Sequence, residues 1–301
     1  MRVRRVALAC GAGALALALL SACGSSSTAP PAENTTGTAP TTHTMTPGDH
    51  VIGITVDGLS RSFILHVPPQ RPSASRPLIL VFHGAEDSDA STVNGTDFEQ
   101  VADQYGEVVA FLQGYQDTWN EGAGHTPAER AHVNDVAFTA AAIAKIETLV
   151  AFDHKRVVAA GFSNGALMVQ DLGCRLAGEV SLIVPVEGEL PVSVSASCAP
   201  ADPISVYEIH ATADSVIPYG GGPFHGVGGG TTVLSAPSSA ARWAALDGCS
   251  PTPARSTPTS GIGLTAYSGC RGHVTVTLRT IEGGAHQWTS DIGLLVTEAL
   301  R

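Results

Sequence analysis

The amino-acid sequence predicts an α/β domain, with a mostly parallel sheet, helices on both faces and an antiparallel hairpin at one edge. Between residues 78 and 281, short runs rich in apolar residues recur along the chain, as expected of strands. Other segments carry apolar residues at steps of three and four, the period of an amphipathic helix. Because the two patterns alternate, we expect parallel strands joined by helices.

The first predicted element is a β-hairpin. Residues 51–68, VIGITVDGLSRSFILHVP, alternate on both sides of an Asp57-Gly58 pair, and Asp-Gly is a strong signal for a two-residue hairpin turn. Two buried strands are then expected at 78–84 (LILVFHG) and 108–114 (VVAFLQG). A helix is expected between them, near TDFEQVADQYG.

The second half of the domain repeats this alternation. From Val136 to Val150, apolar residues step by four, three, three and four, which predicts one face of an amphipathic helix. Another helix is expected in NGALMVQDLGCRLA, residues 164–177. The remaining apolar runs predict strands at RVVAAG (156–161), SLIVPV (181–186), ISVYEIH (204–210) and VTVTLRTI (274–281).

Residues 1–22 have the pattern of an export signal. Arg2, Arg4 and Arg5 precede an uncharged apolar stretch that runs to Leu20. This stretch ends in LSAC, which resembles the lipobox of bacterial lipoproteins and implies cleavage before Cys23 and a lipid on its sulfur. A plain signal peptide and a membrane-spanning helix are the alternatives. We therefore expect an exported protein, lipid-anchored to the outer face of the cell membrane or secreted.

Residues 23–50 are rich in Ser, Thr, Pro and Ala and lack apolar periodicity, so we expect a disordered tether there. Residues 51–301 are expected to form one catalytic domain. The formal net charge is −11, and no cluster of Lys or Arg follows residue 5. Because nucleic-acid backbones are bound through such clusters, nucleic acid is not an expected partner.

The domain contains four cysteines, an even number in a chain whose export would favour oxidised thiols. Three pairings are open, and the shortest loops favour Cys174 with Cys198 and Cys249 with Cys270. The sequence has no C-x-x-C pair and no H-E-x-x-H run, so neither a metal nor a cofactor is expected. The glycine-rich run at 219–230 lacks the context of a phosphate-binding loop and is expected to be mobile.

Three polar residues each follow a predicted strand, where the ligand sites of parallel sheets lie: Ser163, Asp214 and His286. Gly161, Ser163 and Gly165 fit G-x-S-x-G, a sharp strand-to-helix turn that exposes a serine hydroxyl. A hydroxyl becomes a nucleophile when an imidazole takes its proton, and a carboxylate orients that imidazole. The chain order Ser, Asp, His is that of α/β-hydrolases. We therefore predict that Ser163 is the nucleophile, Asp214 the acid and His286 the base.

Chemistry at a carbonyl carbon also needs N–H donors for the developing oxyanion. The amide of Asn164 directly follows the predicted nucleophile, and the amide of Ala85 lies in the loop after the strand at 78–84, so both are predicted donors. For each catalytic residue alone, a structural role is the alternative: a turn serine, a loop-capping aspartate or a buried histidine. Their coincidence at three strand ends favours catalysis.

Five segments of the domain carry a family resemblance: FHGAEDS, GFSNGALM, IHATADSVIPY, DGC and EGGAHQW. They look like the polyhydroxybutyrate depolymerase and feruloyl esterase group within carbohydrate esterase family one, which includes lipoproteins. The resemblance implies a secreted serine esterase for polyhydroxyalkanoate, feruloyl, acetyl or short-chain aryl esters, with its triad at Ser163, Asp214 and His286. A peptidase on the same fold and a lipoprotein that binds an ester or glycan without cleaving it are the alternatives.

Two tryptophans are candidate substrate contacts, because an aromatic ring offers a large flat surface to an acyl or phenolic group. Trp119, in DTWNEGAGH, resembles a position near the cleft of that group, and Trp288 lies two residues after the predicted base. Core packing is the alternative for both. The chain departs from the group at Glu86 and Asp87, where another glycine is common, and at Ala285, where glycine is usual.

The predicted lipid anchor can be tested by replacing Cys23 with serine, which lacks the sulfur that would carry the lipid. We expect the Cys23→Ser protein to leave the membrane fraction or to remain unprocessed, as measured by fractionation and intact mass. Because a single acyl chain anchors a protein only marginally, we expect more than one chain on Cys23 of the wild-type protein. Normal processing with unchanged membrane retention would contradict the anchor.

Overall fold

The computed structural model describes residues 45–69, 75–124 and 126–301; the predicted signal peptide, Cys23 and most of the predicted tether lie outside them. The strands within these residues are β1 (Gly48–Val56), β2 (Leu59–Val67), β3 (Leu78–Phe82), β4 (Val108–Leu112), β5 (Val157–Phe162), β6 (Leu182–Val186), β7 (Ser205–Ala211), β8 (Gly222–Gly226), β9 (Gly229–Val233), β10 (Ala254–Thr259), β11 (Ile262–Tyr267) and β12 (Val276–Ile281). β1 thus begins before the predicted domain boundary at residue 51.

The α-helices of the described residues are α1 (Asp89–Gly95), α2 (Phe98–Tyr105), α3 (Pro127–Arg130), α4 (Asp135–Glu147), α5 (Asn164–Arg175), α6 (Val192–Ser197), α7 (Ala236–Leu246) and α8 (Ile292–Ala299). Among the described residues, every helix is too short or too polar to traverse a lipid bilayer.

Ten of these strands form one mixed sheet, in the order β1-β2-β4-β3-β5-β6-β7-β12-β11-β10. The six strands from β4 to β12 run parallel, and an antiparallel pair extends the sheet on each side. The predicted fold class is confirmed, including the N-terminal hairpin. Its turn residues Asp57 and Gly58 have φ angles of 49° and 81°, the positive values that a two-residue hairpin turn requires.

Helices cover both faces of the parallel strands, which explains why β3, β4 and β6 are buried at every residue. Alternate residues of β3 belong to two separate apolar clusters, because successive side chains of a strand point to opposite faces. Leu78, Leu80 and Phe82 pack in the cluster formed with α4, α5 and α7. Ile79 and Val81 pack in the cluster formed with α2 and α8.

The glycine-rich run at 219–230 contributes to an antiparallel hairpin, β8-β9, and not to a mobile loop as expected from its composition. The expectation was wrong because one large apolar side chain anchors the hairpin. Phe224 is 7% exposed and packs with Leu167, Ile217 and Val233 in a small apolar cluster of their own. Burial of this aromatic ring outweighs the conformational freedom of the neighbouring glycines.

Both favoured disulfides are present and confirm the predicted pairing. Cys174, in α5, is bonded to Cys198 at the end of α6, and Cys249, after α7, is bonded to Cys270, which precedes β12. The first bond fixes the C-terminal end of α5. The second lies at the amino end of the parallel strands, opposite the edge where the predicted catalytic residues follow their strands.

We expect the double variant Cys249→Ala/Cys270→Ala to lose about 3 kcal/mol of unfolding free energy, because a closed loop of this length restricts the unfolded chain. Activity at low temperature should be unchanged, since the bond lies at the opposite end of the strands. Urea unfolding and a standard activity assay measure the two effects. Free thiols at both positions in non-reducing peptide mapping of the wild-type protein would refute the disulfide.

Candidate active site

Ser163 occupies a turn between β5 and α5 that leaves no room for side chains beside it. Its φ of 54° and ψ of −117° are unusual for a residue other than glycine. A Cβ atom at Gly161 would lie 2.2 Å from the backbone oxygen of Gly165, and one at Gly165 would lie 2.3 Å from the backbone oxygen of Phe82. The G-x-S-x-G spacing is therefore a steric requirement of this turn.

The three predicted catalytic residues lie within hydrogen-bond distance of one another. His286 Nε2 is 2.9 Å from Ser163 Oγ, and His286 Nδ1 is 2.7 Å from Asp214 Oδ2. The other carboxylate oxygen of Asp214 accepts hydrogen bonds from the backbone N–H groups of Val216 and Ile217 at 2.7 and 2.9 Å. Strands β5, β7 and β12 bring the three side chains to one edge of the sheet.

The charge on Asp214 determines which protons the imidazole can move. Burial opposes its ionisation, but hydrogen bonds from His210, His286 and the backbone of Val216 hold the pKa of Asp214 well below its usual range. An ionised Asp214 accepts the Nδ1–H of His286. The Nε2 lone pair then faces the hydroxyl of Ser163 and can take its proton.

The two predicted oxyanion donors line the same cleft as Ser163. Asn164 is the first residue of α5, so its N–H has no acceptor within the helix. Within the described residues, the N–H of Ala85 makes no hydrogen bond. The next residue, Glu86, has φ of 62° and donates its N–H to the backbone oxygen of Asp117 at 2.9 Å, which fixes this loop.

Trp119 supports the site from below and does not contact the cleft. It is fully buried and is absent from the cleft lining, so the prediction of a substrate contact is wrong for this residue. Its backbone N–H donates to Asn164 Oδ1 at 2.8 Å, and its indole N–H donates to the backbone oxygen of His83 at 2.9 Å. Trp119 lies outside the cleft because residues 118–119 pass beneath the start of α5.

Trp288 is half-buried and lies outside the cleft lining, so its substrate contact stays a prediction. Its ring packs on Phe162 with centroids 5.3 Å apart, and Phe162 packs on the imidazole of His286 at 4.8 Å. The edge of Phe98 contacts Trp288 from the other side, at 6.0 Å. These packed rings restrict the imidazole of His286.

A cleft of about 390 Å³ opens over Ser163. Part of its apolar wall comes from the β8-β9 hairpin and was not predicted from the sequence, where a single phenylalanine among glycines was the available signal. Arg130, at the end of α3, donates a hydrogen bond of 3.0 Å to the backbone oxygen of Gly228 at the hairpin tip. Apolar lining side chains include Phe162, Leu167, Val216, Ile217, Phe224 and Val227, and the acids Glu86 and Asp87 also line the cleft.

The comparisons with known proteins find named esterases. No protein-family model matches the chain. The chain is 33% identical over 217 residues to feruloyl esterase B of Piromyces equi, a match that covers 70% of this chain and 39% of that protein. It is 30% identical over 170 residues to the esterase NocK of Nocardia uniformis subsp. tsuyamanensis, covering 56% and 49%. The chain thus spans less than half the length of these relatives.

Two solved structures have a similar fold. The acetyl xylan esterase from Aspergillus awamori superposes with a TM-score of 0.62 at 11% identity, covering 83% of this chain and 98% of that one. An S-formylglutathione hydrolase from Agrobacterium tumefaciens superposes with a TM-score of 0.55 at 13% identity, covering 85% and 95%. At these identities the likeness establishes the fold.

Glu121 is a fully buried acid next to the cleft, where Thr126 Oγ1 lies 3.4 Å from its carboxylate. Burial raises the pKa of Glu121 to about 8, from 4.5. Between pH 4.5 and about pH 8, Glu121 keeps its proton in the folded protein and has released it in the unfolded chain. The contribution of Glu121 to the free energy of unfolding therefore falls as pH rises through this window.

We expect Glu121→Gln to reduce this pH dependence, because the amide keeps the neutral form at every pH. The difference in unfolding free energy between variant and wild type should grow in favour of the variant from about pH 5 to about pH 8. Urea unfolding at the two pH values measures it. Glu179→Gln, at an exposed acid, is the matched control and should follow the wild type. Parallel behaviour of both variants would contradict the buried proton on Glu121.

Proposed function

Because the chain has the α/β-hydrolase fold and is homologous to proteins named as esterases, we propose that it is a serine hydrolase that cleaves carboxylic esters. The observation that carries the proposal is the chain of hydrogen bonds from Asp214 through His286 to Ser163, at the base of an apolar cleft. A nucleophile, a base and an orienting carboxylate are the three groups that acyl transfer through serine requires.

In the proposed reaction, Ser163 Oγ bonds to the acyl carbon while its proton moves to His286 Nε2. The electron pair of the carbonyl bond moves onto the oxygen, where the N–H groups of Asn164 and Ala85 stabilise the negative charge. Collapse of this intermediate restores the carbonyl and breaks the bond to the alcohol oxygen, which takes the proton from His286. Water then attacks the acyl-serine ester by the same steps and releases the carboxylic acid.

Neutral esters of short-chain or aryl acids are the proposed substrates. The apolar side chains of Leu167, Ile217 and Phe224 favour an uncharged group in the cleft, while the acids Glu86 and Asp87 disfavour an anionic one. The names of the relatives, feruloyl esterase B and the bifunctional acetylxylan esterase/xylanase XynS20E of Neocallimastix patriciarum, support feruloyl or acetyl esters of carbohydrate. Polyhydroxyalkanoate is proposed from the sequence resemblance alone.

We also propose that the enzyme acts outside the cytoplasm. The two disulfides support an oxidising compartment, and the N-terminal pattern of three arginines followed by an apolar stretch supports export. Attachment through a lipid on Cys23 would keep the domain at the membrane surface.

We expect Ser163→Ala and His286→Ala each to lower the turnover of an aryl ester about 10⁴-fold or more, because the triad acts as a unit. Asp214→Asn should lower the turnover by a somewhat smaller factor than either of these changes. A serine-directed phosphonate should label the wild-type protein at Ser163 and leave Ser163→Ala unlabelled, as measured by intact mass and peptide mapping. Ser238→Ala, at an exposed serine of α7, is the matched control and should retain wild-type turnover.

Wild-type turnover by Ser163→Ala would show that another group is the nucleophile. A wild-type protein that reacted with neither esters nor the phosphonate would contradict the enzyme assignment and favour a binding protein. Cleavage of peptides in preference to esters would favour the peptidase alternative.

A further inference from the structure

Behind Asp214 lies a group of buried ionisable side chains that the proposed reaction does not use. His210, on β7, is fully buried, and Glu187 and Glu189, which follow β6, are 1% and 0% exposed. His210 Nδ1 lies 2.9 Å from Glu189 Oε1, and His210 Nε2 lies 3.3 Å from Glu187 Oε2. The ring of Tyr219 packs against His210 with centroids 5.8 Å apart. Burying several ionisable groups together is costly unless they are closely paired.

Both ring nitrogens of His210 face oxygen acceptors. Nε2 lies 3.0 Å from the backbone oxygen of Ile217, which can only accept, so Nε2 carries a proton. Nδ1 lies 2.9 Å from Glu189 Oε1, an ion-pair distance. Burial opposes the charged ring, but the contacts with Asp214 and Glu189, with the charges of Glu189 and Glu187, raise the pKa of His210 to about 11. Burial also raises the pKa of Glu187 and of Glu189, and the neighbouring His210 opposes that rise.

Asp214 connects this group to the triad, because one of its oxygens contacts two imidazoles. Asp214 Oδ2 lies 2.7 Å from His286 Nδ1 and 3.4 Å from His210 Nε2. The second contact places the imidazole of His210 beside the carboxylate that orients His286. A positively charged neighbour favours the ionised form of a carboxylate. The contact also restricts rotation of the carboxylate group.

The backbone links the same group to the nucleophile turn. Glu187 has φ of 53°, and its carboxylate accepts the N–H of Ala211 at 3.0 Å, which aims it toward His210. The next residue, Gly188, passes so close to the turn that a Cβ atom there would lie 2.9 Å from the backbone oxygen of Ser163. Residues 187–189 are thus packed between the turn and His210.

We propose that His210 is a positioning residue of the triad: as a buried imidazolium it keeps Asp214 ionised and oriented toward His286, while Glu187 and Glu189 retain the proton on His210. Its positive charge also offsets the negative charges near His286. The proposal rests on the proposed function, because it assigns His210 a role within a working triad. The other ionisable groups facing His210 are Glu208 on β7, Tyr219 and, beyond Asp214, His286.

The test is His210→Gln, whose amide can still donate to Ile217 but carries no charge. We expect kcat for an aryl ester to fall about 10- to 100-fold, less than the cost of losing the orienting carboxylate itself. KM should stay within about twofold, because His210 does not line the cleft. The acid limb of kcat/KM should move to higher pH. Without the positive charge of His210, the buried carboxylates favour the protonated form of His286, which cannot act as the base.

Glu208→Gln is the matched control. Glu208 is also fully buried on β7, and Ser239 Oγ donates to its carboxyl group at 2.9 Å. Because burial raises the pKa of Glu208 to about 8, Glu208→Gln removes no charge from beside His210 on the acid side of that value. This variant should keep the wild-type kcat and acid limb. The low-field proton resonance of the Asp214–His286 hydrogen bond should shift or disappear in His210→Gln and persist in Glu208→Gln. A merely structural role of His210 would move neither the acid limb nor this resonance in a folded variant.

Glu189→Gln tests the proposal if His210→Gln does not fold. The amide oxygen still accepts from His210, but the charge that retains the proton is lost, so kcat should decline at a lower alkaline pH than in the wild type. Wild-type kcat, pH profile and resonance in a folded His210→Gln would overturn the proposal, as would an unchanged alkaline limb in Glu189→Gln. A wild-type protein inactive toward esters and phosphonate would instead overturn the proposed function, while the resonance would still test His210.

Discussion

The close approach of α5 to strands β3 and β5 is the constraint on which the candidate site depends. The helix begins so near β3 that no side chain fits at Gly165, and the turn before it folds so tightly that none fits at Gly161. Ser163 therefore takes a positive φ, which directs its hydroxyl away from the sheet and toward His286. The same geometry exposes the first amide of α5 in the cleft.

Around this turn, aromatic rings and buried polar groups fix the reacting side chains from behind. Trp119 fixes Asn164 through a hydrogen bond, and Phe162 and Trp288 restrict the imidazole of His286 by stacking. These contacts explain why the two tryptophans nearest the catalytic motifs are supports, whereas Phe162 both packs on the imidazole and lines the cleft. Preorganisation of this kind reduces the rearrangement that the site must make during reaction.

The sequence sufficed for those features that follow from strand ends and steric patterns. The alternation of apolar runs, the Asp57-Gly58 turn and the order of Ser163, Asp214 and His286 each have a local signal. His210 has none, because a histidine within a strand pattern is indistinguishable from any other strand residue until the side chains that follow β6 are known to face it. Trp119 was assigned to the cleft for a related reason: sequence gives the presence of a ring but not the side of the backbone on which it packs.

The β8-β9 hairpin shapes one wall of the cleft and contains none of the three predicted catalytic residues. Its two strands pair with each other outside the ten-stranded sheet, and the isolated bridge of Val233 to Pro191 joins the hairpin to the segment after β6. Changes at Phe224 or at the tip would alter the cleft without disturbing the strands that position Ser163, Asp214 and His286. In evolutionary terms, selectivity can diverge at the hairpin positions while the chemistry is inherited unchanged, because the hairpin wall and the three predicted catalytic residues lie on separate elements of the chain.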